Sequence, residues 1–332
     1  MVGFRAAQGN ADLSSQRIFS ARNGRMNPQA DIAVVILTYN ESRHLPRALK
    51  SIGSFAREVF VIDSFSTDDT VEIAKAAGAS VLEHPFECQA QQFNWALDNA
   101  PITTDWVMRL DADEIIESDL AREIVIRLPL LPPEITGVNL NRKTIFQGRF
   151  IRHGGRYPLM MLRIWRRGKA RVEDRWMDEH IYLTEGAAVT LKGGFADHNL
   201  NDLTSFTEKH NKYAGREALD VLNGRLGLFD VPVALTGKST ARQAKVKRFL
   251  KESVYNRIPF EISAFAYFFF RYVIQLGFLD GREGLIYHVL QGFWYRFLVG
   301  AKLREMERAM VEARTLEERR SVLARLSRQE LK

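Results

Sequence analysis

The feature that most restricts the fold of this chain is an alternation that begins at Asp31. IAVVILTYN is a short β-branched apolar run ending in polar residues, as a strand buried on both faces does. A helical pattern follows from His44 to Ile52, with Gly53 as a stop. The same pair then recurs: strand Val59 to Ile62, helix Thr70 to Ala77 closed by Gly78, strand Ser80 to Glu83, helix Gln89 to Asn99, strand Trp106 to Leu110. Helices of about ten residues between strands imply right-handed crossovers, so the expected fold class is α/β, a mostly parallel sheet flanked by helices. Ligands of such sheets bind beyond the carboxyl ends of the strands.

Three of those ends are polar. The first offers Thr38, Tyr39, Asn40 and Glu41; the second Asp63, Ser64 and a loop to Asp68 and Asp69; the fourth Asp111, Ala112, Asp113 and Glu114. Helix capping explains any one such loop equally well, for example Ser66 or Asp68 before the Thr70 helix. It does not explain why acids gather at three ends of one edge. In Asp111-Ala112-Asp113, residues two apart in an extended segment point to one side, so both carboxylates can face one divalent cation. Hard oxygen ligands suit magnesium or manganese, which keep positions open for substrate phosphates. A G-x-x-x-x-G-K-[ST] loop is absent and no G-x-G-x-x-G follows the first strand, which argues against a P-loop NTPase or a dinucleotide dehydrogenase.

The 332 residues, 46% hydrophobic and 26% charged, amount to roughly two globular domains. A single cysteine, Cys88, excludes an internal disulfide and a multi-cysteine zinc site, and reads as a small core residue. A net charge of +7 points to an anionic partner: nucleic acid, a membrane surface or a phosphorylated ligand. Residues 1–30, with Arg5, Arg17, Arg22 and Arg25 against Asp12, read as a disordered basic tail, an organelle transit peptide being the alternative.

After about Asn223 the chain changes character. Arg242, Lys245, Lys247, Arg248 and Lys251 form a basic stretch, and fourteen of the thirty-five aromatics lie between Tyr255 and Phe297. Trp and Tyr with flanking Lys and Arg are what a helix in the membrane interface uses. The run from Ile258 to Phe270 is too short to span a bilayer and is interrupted only by Glu261 and Ser263. Gly277 to Gly281 reads as a turn, and Ile286 to Val299 repeats the aromatic pattern. The expectation is therefore an aromatic-rich, helical membrane-associating region at 223–300, with a buried hairpin over the sheet as the alternative. An amphipathic charged helix at 301–332 could pair two copies as a homo-oligomer. Nucleic acid is not an expected partner, because the basic stretch leads into apolar residues and no recognition motif is present.

VVILTYNE, VFVIDSFSTDDT and WVMRLDADE resemble, in order and spacing, the strand-end motifs of family 2 glycosyltransferases with the GT-A fold. More narrowly, the chain resembles the branch that builds lipopolysaccharide core or exopolysaccharide. The resemblance covers about Asp31 to Ala218, which sets a GT-A-like catalytic domain at 31–222. It implies that Thr38 and Asp63 contact the base of a UDP-sugar, that Asn40 and Glu41 shape the same pocket, and that Asp111 binds the ribose or the water shell of the metal. Asp113 would hold Mg2+ or Mn2+, which bridges the donor phosphates, with Asp111 and His198 as further metal ligands. Arg163 would pair with phosphate, its alternative being a solvated strand charge, and Gly154-Gly155 would let backbone approach sugar or acceptor. The catalytic base would be Glu179 or Asp178 in the segment from Arg175 to His180, although the order of acids departs from the family pattern. The implied function is inverting, metal-dependent transfer of a hexose to a lipid-linked saccharide by an enzyme peripheral on the cytoplasmic face of the cell membrane. Transfer to polyprenyl phosphate and a non-catalytic membrane-binding module are the alternatives.

Overall fold

The computed structural model describes residues 29–173, 180–228 and 259–327. The basic stretch from Arg242 to Lys251, nearly all of the N-terminal tail, and the segment holding Asp178 and Glu179 lie outside them. The elements run β1 (Ile32–Thr38), α1 (Leu45–Ile52), β2 (Glu58–Asp63), α2 (Thr70–Ala76), β3 (Ser80–Glu83), α3 (Gln89–Asn99), β4 (Trp106–Asp111), β5 (Glu114–Ile116) and α4 (Ser118–Arg127). There follow β6 (Ile135–Phe146), β7 (Arg149–Ile151), β8 (Leu159–Arg166), β9 (Ala170–Val172), β10 (Ile181–Leu183) and β11 (Ala187–Asp197). The remaining helices are α5 (Leu203–Leu226), α6 (Phe260–Phe269), α7 (Gly281–His288), α8 (Tyr295–Ala309) and α9 (Leu316–Ser327).

Alternate residues of β1 feed two cores. Ile32, Val34 and Ile36 pack with α1 and α4 on one face, while Ala33 and Val35 pack with Phe93 of α3 and Val172 of β9 on the other. This double burial is why β1 is apolar throughout. Strands β3, β2, β1 and β4 are parallel and lie side by side in that order. The crossovers from β1 thus diverge, β2 to one side and β4 to the other, opening a crevice at their carboxyl ends. Cys88, read as a core residue, is half-buried against the second of these cores and also caps α3: its Sγ accepts from the Gln91 N–H at 3.5 Å.

The second half of the sheet is mixed. β8 runs antiparallel to β4 and β6, β11 is parallel to β6, and β5 is antiparallel to β11. β4 and β5 are joined by Ala112 and Asp113 alone, yet β8, β6 and β11 lie between them in the sheet. Four inter-strand steps would separate them by about 19 Å in a flat sheet, whereas the link reaches only about 10 Å. The sheet therefore curls, and Asp111 to Glu114 is the place where it closes.

The C-terminal helices belong to the same body. α5 runs through the expected boundary at 222 and shares a core with the C-terminal helices, including Ala218, Leu222, Tyr295, Val299 and Met306. A second attachment is made by the loop after β7. The His153 N–H and Nδ1 bond the Asp280 carboxylate at 2.8 and 2.6 Å, the Gly154 N–H donates to the Gln275 carbonyl at 2.9 Å, and Arg271 Nε donates to the Gly154 carbonyl at 2.7 Å. Gly154 has φ +65° and a Cβ there would overlap the His288 ring. Its missing side chain thus admits a helix of this chain, where the sequence suggested sugar or acceptor.

His288 is fully buried and neither ring nitrogen has a partner. Burial, with Arg271 and Arg156 adding to it, pushes the imidazole down to about 4. The unfolded chain takes up a proton near 6.5 and the folded chain only near 4, so acid favours unfolding between those values. Stability of the wild type relative to His288→Leu should be constant above about pH 7 and fall by up to about 3 kcal/mol toward pH 4, read from urea midpoints. A difference independent of pH would contradict this burial.

Candidate active site

The floor of the crevice is built by Asp63. It is fully buried, and its carboxylate accepts from Thr38 Oγ1 at 2.7 Å, from the Ser66 N–H at 2.7 Å and from Ser66 Oγ at 2.6 Å. Asn40 turns the chain after β1 with φ 55°; its N–H donates to Ser66 Oγ at 2.8 Å, and its Oδ1 accepts from the Thr67 N–H at 2.8 Å. Thr38, Asn40 and Asp63 are thus brought together as expected, but chiefly as a brace between two loops. Asp68 follows the capping alternative, taking bonds from the Thr70 N–H and hydroxyl and from the Ser42 N–H. Tyr39 and Phe65 stand beside this floor, 60% and 55% exposed, and Phe65 holds φ 59°, a strained value for a large residue.

Glu41 points elsewhere. Its carboxylate bonds His44 Nδ1 at 2.6 Å, and His44 Nε2 accepts from the Leu200 N–H at 3.0 Å, so the ring bridges the two loops. Arg47 Nη2 donates to the His198 carbonyl at 2.8 Å. The loop after β11 is therefore held by the first helix of the sheet domain. It meets the β4–β5 turn directly: the His198 N–H donates to the Asp113 carbonyl at 3.0 Å and Asn199 Nδ2 to Asp113 Oδ2 at 2.9 Å.

Arg163 is not a solvated charge or a free phosphate ligand. It is 2% exposed, and Nη2 donates to Glu114 Oε1 at 2.6 Å and lies 3.5 Å from Asp111 Oδ2. Arg109 Nε bonds the other oxygen of Asp111 at 3.1 Å, and the Asp111 N–H donates to Glu114 Oε2 at 2.9 Å. Burial opposes ionisation of Asp111, but Arg109 and Arg163 outweigh it and hold the carboxyl below the usual range. Burial pushes the Glu114 carboxyl upward, with Arg163 opposing the rise and Asp111 adding to it, and both its oxygens accept hydrogen bonds as a carboxylate's do.

Asp197, unassigned by sequence, ends β11 and pairs in register with Glu114 of β5. Burial and then Asp113 raise its carboxyl, against Arg142, whose Nη1 lies 3.7 Å away, and Lys209. Asp111 and Asp197 both keep 29% of their side-chain surface, so these acids line a concave cleft open to water. Lys209 faces the same acids: burial lowers it, but Tyr213, Asp113, Asp197 and Asp111 raise it further. Only long-range pairing reveals Asp197, Asn199 and Lys209, because no local motif marks them.

A hard cation fits this donor set in a limited way. Asp113 has one oxygen held by Asn199 and the other without a hydrogen-bond partner among the described residues, beside the partly exposed Asp111. Burial, then Arg47 and His44, hold the His198 imidazole neutral, as a ligand must be. Yet among the described residues no three His, Cys, Asp or Glu side chains converge on a metal position. The arrangement suits a magnesium-like ion that takes one or two carboxylates and completes its shell with water and phosphate oxygens. Of the expected base segment only His180 is described, 72% exposed and 3.9 Å from Glu173.

Arg163→Met would leave Glu114 and Asp111 without their shared cation and should cost about 3–5 kcal/mol in urea unfolding, most of it recovered when Glu114→Leu is added. An unchanged midpoint in Arg163→Met would mean that the guanidinium is solvated.

Residues 33–193 match the family described as glycosyl transferase family 2. An uncharacterized glycosyltransferase of Rickettsia prowazekii is 41% identical over 93 residues, 28% of this chain and 31% of that protein. The glycosyltransferase SunS of Bacillus phage SPbeta is 34% identical over 86 residues, 25% of this chain and 20% of that protein. The matches thus span about a third or less of these relatives. Among solved structures, glucosyl-3-phosphoglycerate synthase from Mycobacterium tuberculosis in complex with Mn2+, uridine diphosphate and glucosyl-3-phosphoglycerate is 23% identical, with 44% of this chain and 51% of that one covered and a TM-score of 0.29. Mannosyl-3-phosphoglycerate synthase from Rubrobacter xylanophilus is 19% identical, covers 35% and 41%, and has a TM-score of 0.30. Residues 33–193, just under half of the chain, are thus similar to the glycosyl transferase family 2 domain.

Proposed function

We propose that the chain is an inverting, metal-dependent glycosyltransferase that moves a hexose from a UDP-sugar to a lipid-linked saccharide in lipopolysaccharide core or exopolysaccharide synthesis. The observation that carries this reading is the closure of the sheet at Asp111 to Glu114, where Asp113 keeps a carboxylate oxygen without a hydrogen-bond partner among the described residues, at the mouth of the β1–β4 crevice. The base would rest over the Thr38–Asp63 brace, with Tyr39 and Phe65 offering exposed aromatic faces. Asp113, beside Asp111 and His198, would hold Mg2+ or Mn2+, whose positive charge stabilises the departing diphosphate. Glu179 or Asp178 would take the proton of the acceptor hydroxyl, and direct attack by that hydroxyl would invert the sugar linkage.

The C-terminal helices support a membrane-borne acceptor. Ile262, Phe265, Phe269, Ile274 and Leu279 are each between 48% and 60% exposed, on a helical unit that also turns Arg271 and Arg296 inward. No single helix among the described residues is long and apolar enough to cross a bilayer, whereas Phe260–Ile274 and Gly277–Ala309, bent by 71°, pass by length and composition together. A unit of this kind would lie in the interface of the cytoplasmic leaflet.

A panel of UDP-sugars, assayed for hydrolysis and for transfer to isolated lipid-linked saccharides with and without Mn2+, tests the reading. Metal-dependent turnover of one donor is expected, with a loss of at least about 100-fold in Asp113→Ala at unchanged stability. Full activity in Asp113→Ala would remove the metal assignment, and no turnover of any donor would remove the enzyme reading.

A further inference from the structure

The cleft has a second wall, and its charge is not balanced among the described residues. Arg156 makes no side-chain hydrogen bond to any described residue; its Nε is buried without a partner, and its guanidinium lies 5.3 Å from the centroid of the Tyr287 ring. Arg271 is 6% exposed and bonds the Gly154 carbonyl and the Tyr267 hydroxyl, at 2.7 and 3.2 Å, while its Nη2 has no partner. Arg296 stands 5.7 Å from the centroid of the Tyr267 ring, with Nη1 on Glu217 at 2.7 Å.

The carboxylates that face this seam already have partners. Asp280 holds His153, Glu217 holds Arg296 and Tyr295, and Asp197 holds Arg142. No carboxylate lies within 4.0 Å of the cationic groups of Arg156, Arg271 or Lys209 among the described residues. Two neighbours register the excess: burial should raise the Tyr267 hydroxyl, yet Arg271, Arg296 and Arg156 bring it below its usual value, and Arg271 and Arg156 help to keep His288 neutral. Arg142 and Lys209 continue the wall toward Asp197 and Asp113.

We propose that Arg156 and Arg271, with Arg142, Arg296 and Lys209, form an anion site in the transferase cleft that recognises the acceptor through a phosphate group. The proposal rests on the transferase reading above and assigns the wall beyond Asp113 and Asp197 to the acceptor. A phosphate presents several oxygens and can engage more than one guanidinium fork at once, which a hydroxyl-only sugar cannot. The position argues for the acceptor over the donor. The helical unit that supplies Arg271 and Arg296 carries Phe269, Phe270, Val273 and Ile274 on its exposed surface, so an amphipathic acceptor can keep its chain outside and its anionic group in the seam.

Calorimetry on the intact protein tests the wall with inorganic phosphate, a hexose 6-phosphate, decyl phosphate in phosphatidylcholine vesicles, and a hexuronate as a control. Arg156→Gln gives up no side-chain hydrogen bond to a described residue and should fold normally. It should weaken binding of the phosphate probes by about tenfold or more, with partial recovery in Arg156→Lys and no change in binding of UDP with Mn2+. Binding of the free hexose phosphate would put the phosphate on the saccharide, and binding of the vesicle-borne probe alone would put it on the lipid; both support the site. No binding of any phosphate probe to the wild type, equal binding by Arg156→Gln, preference for the hexuronate, or parallel loss of UDP–Mn2+ binding in Arg156→Gln would each overturn it. Failure of the wild type to bind UDP with Mn2+ would instead remove the donor reading, with phosphate binding still readable.

Discussion

The buried guanidinium of Arg163 is the interaction on which the rest of the site depends. It comes from β8, between β4 and β6, and reaches the turn where β4 passes into β5. One cation there holds Glu114 and Asp111 together, and Arg109 adds a second contact to Asp111. Carboxylates taken out of water this far are tolerated only when paired and hydrogen-bonded. With Arg163 in place, the sheet can close through an acidic turn, and Asp113 is left facing outward. Without it, the same acids would repel across the closure.

That closure also explains how distant parts of the chain reach one cleft. Asp197 arrives by pairing of β11 with β5, and the residues just beyond it, His198 and Asn199, are tied to Asp113 and to Arg47. α5 starts shortly after and brings Lys209 over the acids, and its far half is the seat for the C-terminal helices. The helices in turn press His288 against Gly154, so the cationic seam is assembled from the β7–β8 loop on one side and the helical unit on the other. The positive charge of this chain is therefore distributed by the fold: Arg163 and Arg109 neutralise acids internally, while Arg156 and Arg271 remain available.

The first half of the sheet domain was legible because its cause is local. A strand buried on both faces must be continuously apolar, and its crossover helix must show one apolar face, so β1 through β4 can be read from sequence to within a residue or two. The acidic strand ends were legible for the same reason. β6, β8 and β11 were not, since they are long strands with bulges, half-buried, and paired across as many as 83 residues of sequence, Glu114 with Asp197. The role of Arg163 follows from that pairing; in sequence it is one charge in LMMLRIWR, indistinguishable from a ligand for phosphate. Gly154 was legible as a position of close approach, but what approaches it, His288, lies over a hundred residues away. Sequence thus located the chemistry-bearing edge and left the partners of each group to tertiary structure.

On the proposed function, the β1–β4 crevice, closed at Asp111 to Glu114, would hold a metal-bound nucleotide with Asp113 as the protein ligand. A crystal structure with UDP and Mn2+, with manganese located by its anomalous scattering, tests it most directly. The account predicts one manganese peak within coordination distance of the Asp113 carboxylate, uracil over the Thr38–Asp63 brace, and Arg163 still on Glu114. Manganese at any other group, or UDP bound away from the ends of β1 and β4, would contradict it.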